Sequence, residues 1–243
     1  MASTRPNAVH RLVGMIRTPR ATLTSAIADP RSIDLALLIV VVSAACSAGF
    51  LMTRVGQLAA LDQQVRQLES FGATVDDGTY EALRRLVPYR PLISAAINVL
   101  GWPILWVALA WTFQAVGDRV MGAPRQGEGD SARTRAQVLT VVVHASAVFA
   151  VRALVSAPID YARESLGGAT SLSLVMPAFG ESTFPARLLG AVDIFAVWWV
   201  VLVAMGLSIL YGTRTLPIAR WLLGAYAGGA AALALTQALR GGM

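Results

Sequence analysis

The sequence predicts an all-α membrane protein with five transmembrane helices, and three observations lead to this fold class. The 243 residues are 56% hydrophobic and only 14% charged, with a mean hydropathy of +0.60. A soluble domain usually carries about 25% charged and 45–50% apolar residues. The apolar residues also form five blocks near the length of about 20 residues that a bilayer-crossing helix needs. The concentration of the apolar residues into such blocks argues against a soluble globular enzyme, and arginines stand at the ends of the blocks.

Residues 1–32 are predicted to form a cytoplasmic amphipathic segment. Four apolar residues recur there at helical spacing, namely Val9, Leu12, Val13 and Ile16. Such a helix either lies on an anionic membrane surface or packs against the protein's own membrane domain, and periodicity does not separate the two. Thr18 and Pro19 predict the start of a second short helix, which ends near Asp29 because Pro30 disfavours helix in the residue before it.

Residues 33–243 are predicted to form one transmembrane domain, a bundle of five helices. The predicted spans cover residues 33–52, 92–116, 136–157, 187–211 and 216–239. Gly101 and Pro103 are expected to kink the second span. The apolar run 172–176, in the loop between the third and fourth spans, is too short to cross a bilayer.

Between the first two spans, residues 53–91 are predicted to form an extracytoplasmic helical hairpin. Its first helix is indicated by apolar residues at helical spacing, namely Leu58, Leu61, Val65 and Leu68. Gly72 is a natural end for that helix, and Asp76 or Asp77 is expected to cap the next one.

The positive charge predicts the orientation of the chain. The net charge is +6 and all 20 basic residues are arginines. Eleven arginines fall in segments on the predicted N-terminal side of the membrane and eight on the other side. The excess places the N-terminus in the cytoplasm and the C-terminus outside. Because this pattern accounts for the basic balance, no nucleic-acid partner is expected.

Two charged residues inside predicted spans need an explanation, because a charge in the bilayer centre costs about 2.5–3.5 kcal/mol. Arg152 lies eight residues before Asp160, and Asp193 lies six residues after Arg187. At 1.5 Å per residue, both sit roughly 9–12 Å below the outer membrane boundary. We therefore predict an ion pair between Arg152 and Asp193.

Asn98 on the second span lies at similar depth and is expected to complete an intramembrane polar cluster. His144 is the remaining titratable group at depth, with Gln114 as a candidate neighbour. The cluster is interpreted either as a structural device that fixes helix register or as part of a transport or proton path.

The fifth span contains a GxxxG pattern at Gly224 and Gly228, which predicts close helix packing with another span or a second subunit. Searches for catalytic motifs find no HExxH, P-loop or GxSxG sequence. Two histidines and the single cysteine, Cys46, make a metal site improbable. We therefore expect no enzymatic activity, no cofactor and no metal.

Three stretches resemble bacterial Yip1-domain membrane proteins. Residues 11–30, RLVGMIRTPRATLTSAIADP, resemble the family's segment before the first span. Residues 192–211 resemble its fourth span, where Asp193, Phe195 and Trp198 precede Gly206. The third span and its exit are also similar. The resemblance implies five transmembrane helices, a cytosolic N-terminus and location in the bacterial inner membrane. Eukaryotic relatives bind Rab-type GTPases and carry an Asp-Leu-x-Gly-Pro segment, which is reduced here to Asp34 and Leu35.

Two functions follow as hypotheses. The first is a non-enzymatic protein that organises the bilayer or binds membrane or protein partners, using the N-terminal segment, the 53–91 hairpin or the GxxxG face. The second is a small transporter or lipid-handling protein that uses the polar cluster of Asn98, Arg152 and Asp193. The lipid bilayer is the expected partner in both.

Overall fold

The computed structural model describes residues 7–122, 131–166, 169–171 and 189–240. In these ranges the regular secondary structure consists of helices and one isolated antiparallel bridge between Ser171 and Asp193, and short turns and loops connect the helices. The helices are α1 (Ala8–Arg17), α2 (Pro19–Ala28), α3 (Ile33–Met52), α4 (Arg54–Ser70), α5 (Asp77–Arg85), α6 (Arg90–Val120), α7 (Ser131–Ala145), α8 (Ala147–Ala162), α9 (Ile194–Tyr211) and α10 (Thr215–Arg240). A 3-10 turn, Val87–Tyr89, precedes α6.

Five helical stretches in the described ranges are long and apolar enough to cross a membrane. They are Ile33–Met52, Asp77–Val120, Thr134–Ala162, Ile194–Tyr211 and Thr215–Thr236. The predicted all-α class is thereby confirmed for the described ranges, the predicted five helices are found by length and composition, and the chain fits an integral membrane protein. The apolar run 172–176 and residues 187–188, at the predicted start of the fourth span, lie outside the described residues.

The third membrane stretch is divided at Ser146, which the sequence pattern did not predict. The Ser146 hydroxyl donates a hydrogen bond of 2.8 Å to the carbonyl oxygen of Val142, four residues earlier. Just after it, Phe149 N donates to Ser146 O, three residues earlier rather than the four of an α-helix, so the backbone forms a 3-10 turn there. Serine hydroxyls that bond backward in this way bend helices, and here α7 ends and α8 begins.

Close contacts divide the chain into two compact units. The first consists of Met1–Ser43, Asn98–Val151 and Val197–Leu223. Within it, α1 and α2 pack on each other and on α7. Met15, Leu23 and Ile27 are buried by this packing. The buried Gln137 side chain on α7 donates from Nε2 to the carbonyl oxygen of Ile27, 3.1 Å away. The N-terminal helices are therefore held by both apolar burial and a long-range hydrogen bond.

The second unit consists of Ala44–Ile97, Arg152–Ala196 and Gly224–Met243. The segment predicted as a hairpin contains α4, the 3-10 turn and α5. Gly72, just after α4, has a φ of +83°, a conformation that glycine adopts without a steric penalty. Asp76 caps α5 by accepting a hydrogen bond of 2.8 Å from Thr79 N. Arg90, at the start of α6, donates to Gln64 Oε1 on α4 at 2.6 Å.

Candidate functional site

The structure brings Arg152 and Asp193 together within the second unit. Nη2 of Arg152 lies 3.0 Å from Oδ2 of Asp193. The Arg152 side chain is 43% exposed and the Asp193 side chain 20% exposed. The two residues belong to neighbouring apolar stretches of the sequence, and each would be costly in lipid without the other.

Thr170 is a third member of this cluster, and the sequence pattern gave no sign of it. Its hydroxyl accepts a hydrogen bond of 3.2 Å from Arg152 Nε and donates to Asp193 Oδ2. The backbone of the same residue accepts a bond of 3.1 Å from Ile194 N. Thr170 is almost fully buried. Because it lies in a loop, no periodicity in the sequence could have placed it between the two charges.

Asp193 is placed differently from the prediction. It was expected inside the fourth span, six residues from its start, whereas the described helix α9 begins at Ile194, immediately after it. The reason is its side chain, whose Oδ1 accepts hydrogen bonds from the backbone N–H of Phe195 at 2.8 Å and of Ala196 at 3.2 Å. Aspartate is favoured at this capping position because it satisfies N–H groups that have no partner within the helix.

The backbone around Asp193 is also anchored. Asp193 N donates to the Tyr226 hydroxyl oxygen at 3.0 Å, and that hydroxyl donates to the carbonyl oxygen of Ala191 at 3.2 Å. The side chain of Asp193 is anchored as well, because both of its carboxylate oxygens accept hydrogen bonds. Oδ1 accepts from two backbone amides, and Oδ2 accepts from the Thr170 hydroxyl and lies 3.0 Å from Arg152 Nη2, so the side chain is held in place from several sides.

Asn98 and His144 belong to the first unit, so each is described with its partners there. Asn98 Oδ1 accepts a hydrogen bond of 3.1 Å from Trp102 Nε1, one turn along α6. His144 is fully buried, and its Nδ1 lies 2.8 Å from the carbonyl oxygen of Thr140. Gln114, considered as a neighbour of His144, accepts a bond of 3.2 Å from Arg135 Nε.

Gly224 and Gly228 are exposed on α10, and a Cβ atom built at either position meets nothing within 4 Å. Their predicted use in helix packing thus has no counterpart in contacts within the described part of this chain. Among the residues that the structure describes, no group of three or more histidine, cysteine, aspartate or glutamate side chains is arranged to hold a metal ion.

The N-terminal helix α1 has one packed side and one exposed side. One side packs on the protein's own helices and buries Met15 completely. The other side exposes an apolar stripe formed by Val9, Val13 and Ile16, whose exposed fractions are 58%, 38% and 43%. The exposed basic residues His10 and Arg17 lie beside this stripe at helical spacing on α1.

In comparisons with known proteins, no family model matches this chain, and neither does a curated protein or a solved structure.

Proposed function

We propose that this chain is a non-enzymatic multi-pass membrane protein of the Yip1 type, which organises the bilayer or binds membrane and protein partners through its N-terminal segment. The observation that carries the proposal is the exposed stripe of Val9, Val13 and Ile16, since the basic residues beside it suit an anionic membrane surface. Residues 29–32 alone separate α2 from α3. This short link keeps α1 and α2 near the membrane boundary.

The Arg152–Asp193 pair has a structural role in this proposal. It joins α8 to the start of α9, and its polar atoms have partners among Thr170 and the backbone. The proposed location is the bacterial inner membrane, with the N-terminus in the cytoplasm. The 53–91 segment and the Gly224–Gly228 face are additional proposed contact surfaces for protein partners or a second copy.

The test uses the full chain in nanodiscs. In a Cys46→Ala background, one cysteine is introduced at Val13 in the stripe, and a matched one at Thr24, an exposed polar position on α2. Each is labelled with an environment-sensitive fluorophore. We expect lipids carrying a quencher just below the headgroups to quench the label at position 13 several times more strongly than the label at position 24. Equal quenching at both positions would contradict the proposal.

A second measurement addresses the partners. Proximity labelling from the N-terminus is compared between the wild type and a Val13→Glu/Ile16→Glu variant, both checked for normal membrane insertion. Carboxylates in the stripe oppose burial at an anionic surface. We expect the variant to lose its labelled membrane proteins. An unchanged set of labelled membrane proteins would show that the stripe is not the contact surface.

The exposure of Arg152 favours a second candidate, a small transporter or lipid-handling protein, because 43% of a cationic side chain is left uncovered by protein. Proteoliposomes separate the two functions. Wild type and Asp193→Asn are compared for transbilayer movement of a fluorescent phospholipid and for uptake of a small anion. Flux by the wild type that Asp193→Asn abolishes would favour this candidate. Absence of flux in both favours the organising role.

A further inference from the structure

The first unit contains a cavity of about 1050 Å³ between the N-terminal helices and α7. Its walls come from α1, α2, the link between α2 and α3, the first turns of α3, and one side of α7. This volume lies just above the range of ordinary ligand sites, which measure about 300–1,000 Å³. It lies where the N-terminal segment meets two helices that are apolar enough to cross a membrane.

The wall formed by α7 includes one buried side chain whose hydrogen bonding is incomplete. Ala136, Thr140 and His144 follow one another at intervals of four residues and line the cavity. His144 is fully buried, and its Nδ1 lies 2.8 Å from the Thr140 carbonyl oxygen. A carbonyl oxygen only accepts, so Nδ1 carries the proton. In a neutral imidazole Nε2 is then an acceptor, and it has no hydrogen-bond partner among the described residues.

This tautomer sets a condition on the occupant of the cavity. A ligand that satisfies Nε2 of His144 must bring an N–H or O–H donor to it. A phosphate oxygen offers no proton, and a quaternary ammonium has none to donate.

The charged groups of the cavity occur in balanced pairs. Arg11 Nη1 donates to Asp34 Oδ1 at 3.0 Å and to the carbonyl oxygen of Arg31 at 2.6 Å. Arg31 Nε lies 3.0 Å from Asp29 Oδ1. All four side chains line the cavity. Two guanidinium groups and two carboxylates give no net charge, so the lining suits a zwitterion better than an anion.

The remaining wall is apolar and belongs to helices in the membrane. Ile33, Leu37 and Leu139 line the cavity, and Ile33 and Leu37 are also exposed on α3. These side chains connect the polar lining with the lipid-facing surface of a membrane helix. A molecule with a zwitterionic end and hydrocarbon chains can therefore contact both parts at once.

We propose that this cavity binds the headgroup of a phospholipid that carries both a phosphate and a primary ammonium, that is, the phosphatidylethanolamine class. The ammonium supplies donors for His144 Nε2 and for the carboxylate of Asp34. The phosphate accepts hydrogen bonds from the guanidinium groups of Arg11 and Arg31, which retain N–H donors beyond those described. The proposal goes beyond the proposed function, because it does not require the exposed α1 stripe to contact the membrane.

The test measures lipid binding to the purified full chain by native mass spectrometry. Phosphatidylethanolamine, phosphatidylcholine and phosphatidylglycerol with identical acyl chains are titrated separately. We expect phosphatidylethanolamine to bind at least about tenfold more tightly than phosphatidylcholine, because choline lacks the N–H donors; one hydrogen bond to a charged group accounts for a factor of that size. Equal affinity for these two lipids would overturn the proposal, and so would a preference for phosphatidylglycerol.

Matched variants locate the binding. Ser25→Phe fills the cavity from an exposed position on α2, whereas Thr24→Phe adds the same ring beside it, outside the lining. We expect Ser25→Phe to abolish the preference for phosphatidylethanolamine and Thr24→Phe to retain it. A preference that survives in Ser25→Phe would show that the lipid binds elsewhere. His144→Phe keeps an aromatic ring but no ring nitrogen. In folded protein, this variant should reduce the preference for phosphatidylethanolamine over phosphatidylcholine about tenfold.

A competition experiment distinguishes a lipid from a soluble compound with the same headgroup. Free phosphoethanolamine is added to the protein bound to phosphatidylethanolamine. We expect no displacement at equal concentration, because the apolar wall contributes to lipid binding. Complete displacement at equal concentration would assign the cavity to the soluble compound and overturn the lipid proposal.

Discussion

Trp106 and Trp199 donate hydrogen bonds from their indole nitrogens to one shared acceptor, the hydroxyl oxygen of Ser146. The distances from Nε1 to that oxygen are 3.0 Å for Trp106 and 3.2 Å for Trp199. The same hydroxyl donates its proton to the Val142 carbonyl. One donor and two acceptor sites are all that a serine hydroxyl has. Ser146 therefore links α6 and α9 at the junction of α7 and α8, within the first unit.

Ser146→Ala should destabilise the protein, because it removes the acceptor of both indoles. A buried donor left without an acceptor costs about 1–3 kcal/mol, whereas interhelical bonds in membrane proteins average about 0.6 kcal/mol. We expect a loss of about 1–3 kcal/mol in the free energy of unfolding, measured by denaturant titration in micelles. Ser43→Ala is the matched control, since Ser43 is buried but its hydroxyl has no partner among the described residues. Equal stability of Ser146→Ala and Ser43→Ala would contradict this prediction.

Two substitutions at Asp193 separate its ion pair from its capping role. The Asp193→Asn variant keeps an oxygen that caps α9 but loses the charge that pairs with Arg152, whereas Asp193→Ala loses both. We expect the free energy of unfolding to fall in the order wild type, Asp193→Asn, Asp193→Ala. The last two should differ by about 1 kcal/mol, the usual contribution of a helix cap.

The control for the charge is Asp62→Asn, which breaks an exposed pair with Arg66 within α4. Exposed pairs contribute little, so this variant should stay within about 0.5 kcal/mol of the wild type. If Asp193→Asn were no less stable than Asp62→Asn, the Arg152–Asp193 pair would have no structural role.

Two glycines in apolar helices should respond differently to replacement by alanine. A Cβ at the buried Gly206 on α9 would collide with the side chain of Val141 on α7, whereas a Cβ at Gly228 on α10 meets nothing within 4 Å. Overpacking of this kind costs about 1–3 kcal/mol. We expect Gly206→Ala to lower the unfolding temperature and Gly228→Ala to leave it unchanged or slightly higher.

The Gly228 position also tests the GxxxG face. If a second copy packs on Gly228, Gly228→Ile should shift the protein from dimer to monomer in analytical ultracentrifugation while its helix content stays constant. If the wild type is monomeric at all tested concentrations, Gly224 and Gly228 do not form a contact surface for a second copy.

The cap of α5 should weaken in acid. The hydrogen bonds from Thr79 to its carboxylate lower the pKa of Asp76 below its ordinary value of 3.8. Because the folded-state pKa is the lower one, the stabilisation is complete above about pH 4 and disappears as the pH falls through the lowered pKa. Hydrogen exchange at Thr79, corrected for intrinsic rates, should show less protection at about pH 2 than at about pH 6. Asp76→Asn keeps a capping oxygen without a titrating group, so its protection should not change with pH.

Much of the architecture follows from hydrophobic blocks and capping residues. The bounds of α3, the end of α4 before Gly72 and the cap at Asp76 all depend on signals within a few residues of one another. Counting helical depth also brought Arg152 and Asp193 to the same level, although Asp193 precedes its helix.

The features that escaped prediction depend on residues far apart in the chain. Thr170 contributes a hydroxyl from a loop, and Ser146 accepts hydrogen bonds from Trp106 and Trp199, which lie 40 and 53 positions away. The cavity lined by Arg11, Asp34 and His144 combines two segments separated by about a hundred residues. No local pattern contains such a combination, because it depends on which helix faces pack together.

The hydrogen bond from Gln137 to Ile27 spans 110 positions of the chain. During synthesis, α1 and α2 leave the ribosome before α7, which supplies the surface that buries Met15, Leu23 and Ile27. At about 5–20 residues per second, that delay lasts roughly 5–20 seconds. For this interval α1 and α2 can pack on each other but lack the α7 surface, so the bilayer surface or a chaperone must shield the rest of their apolar side chains until the third membrane helix emerges.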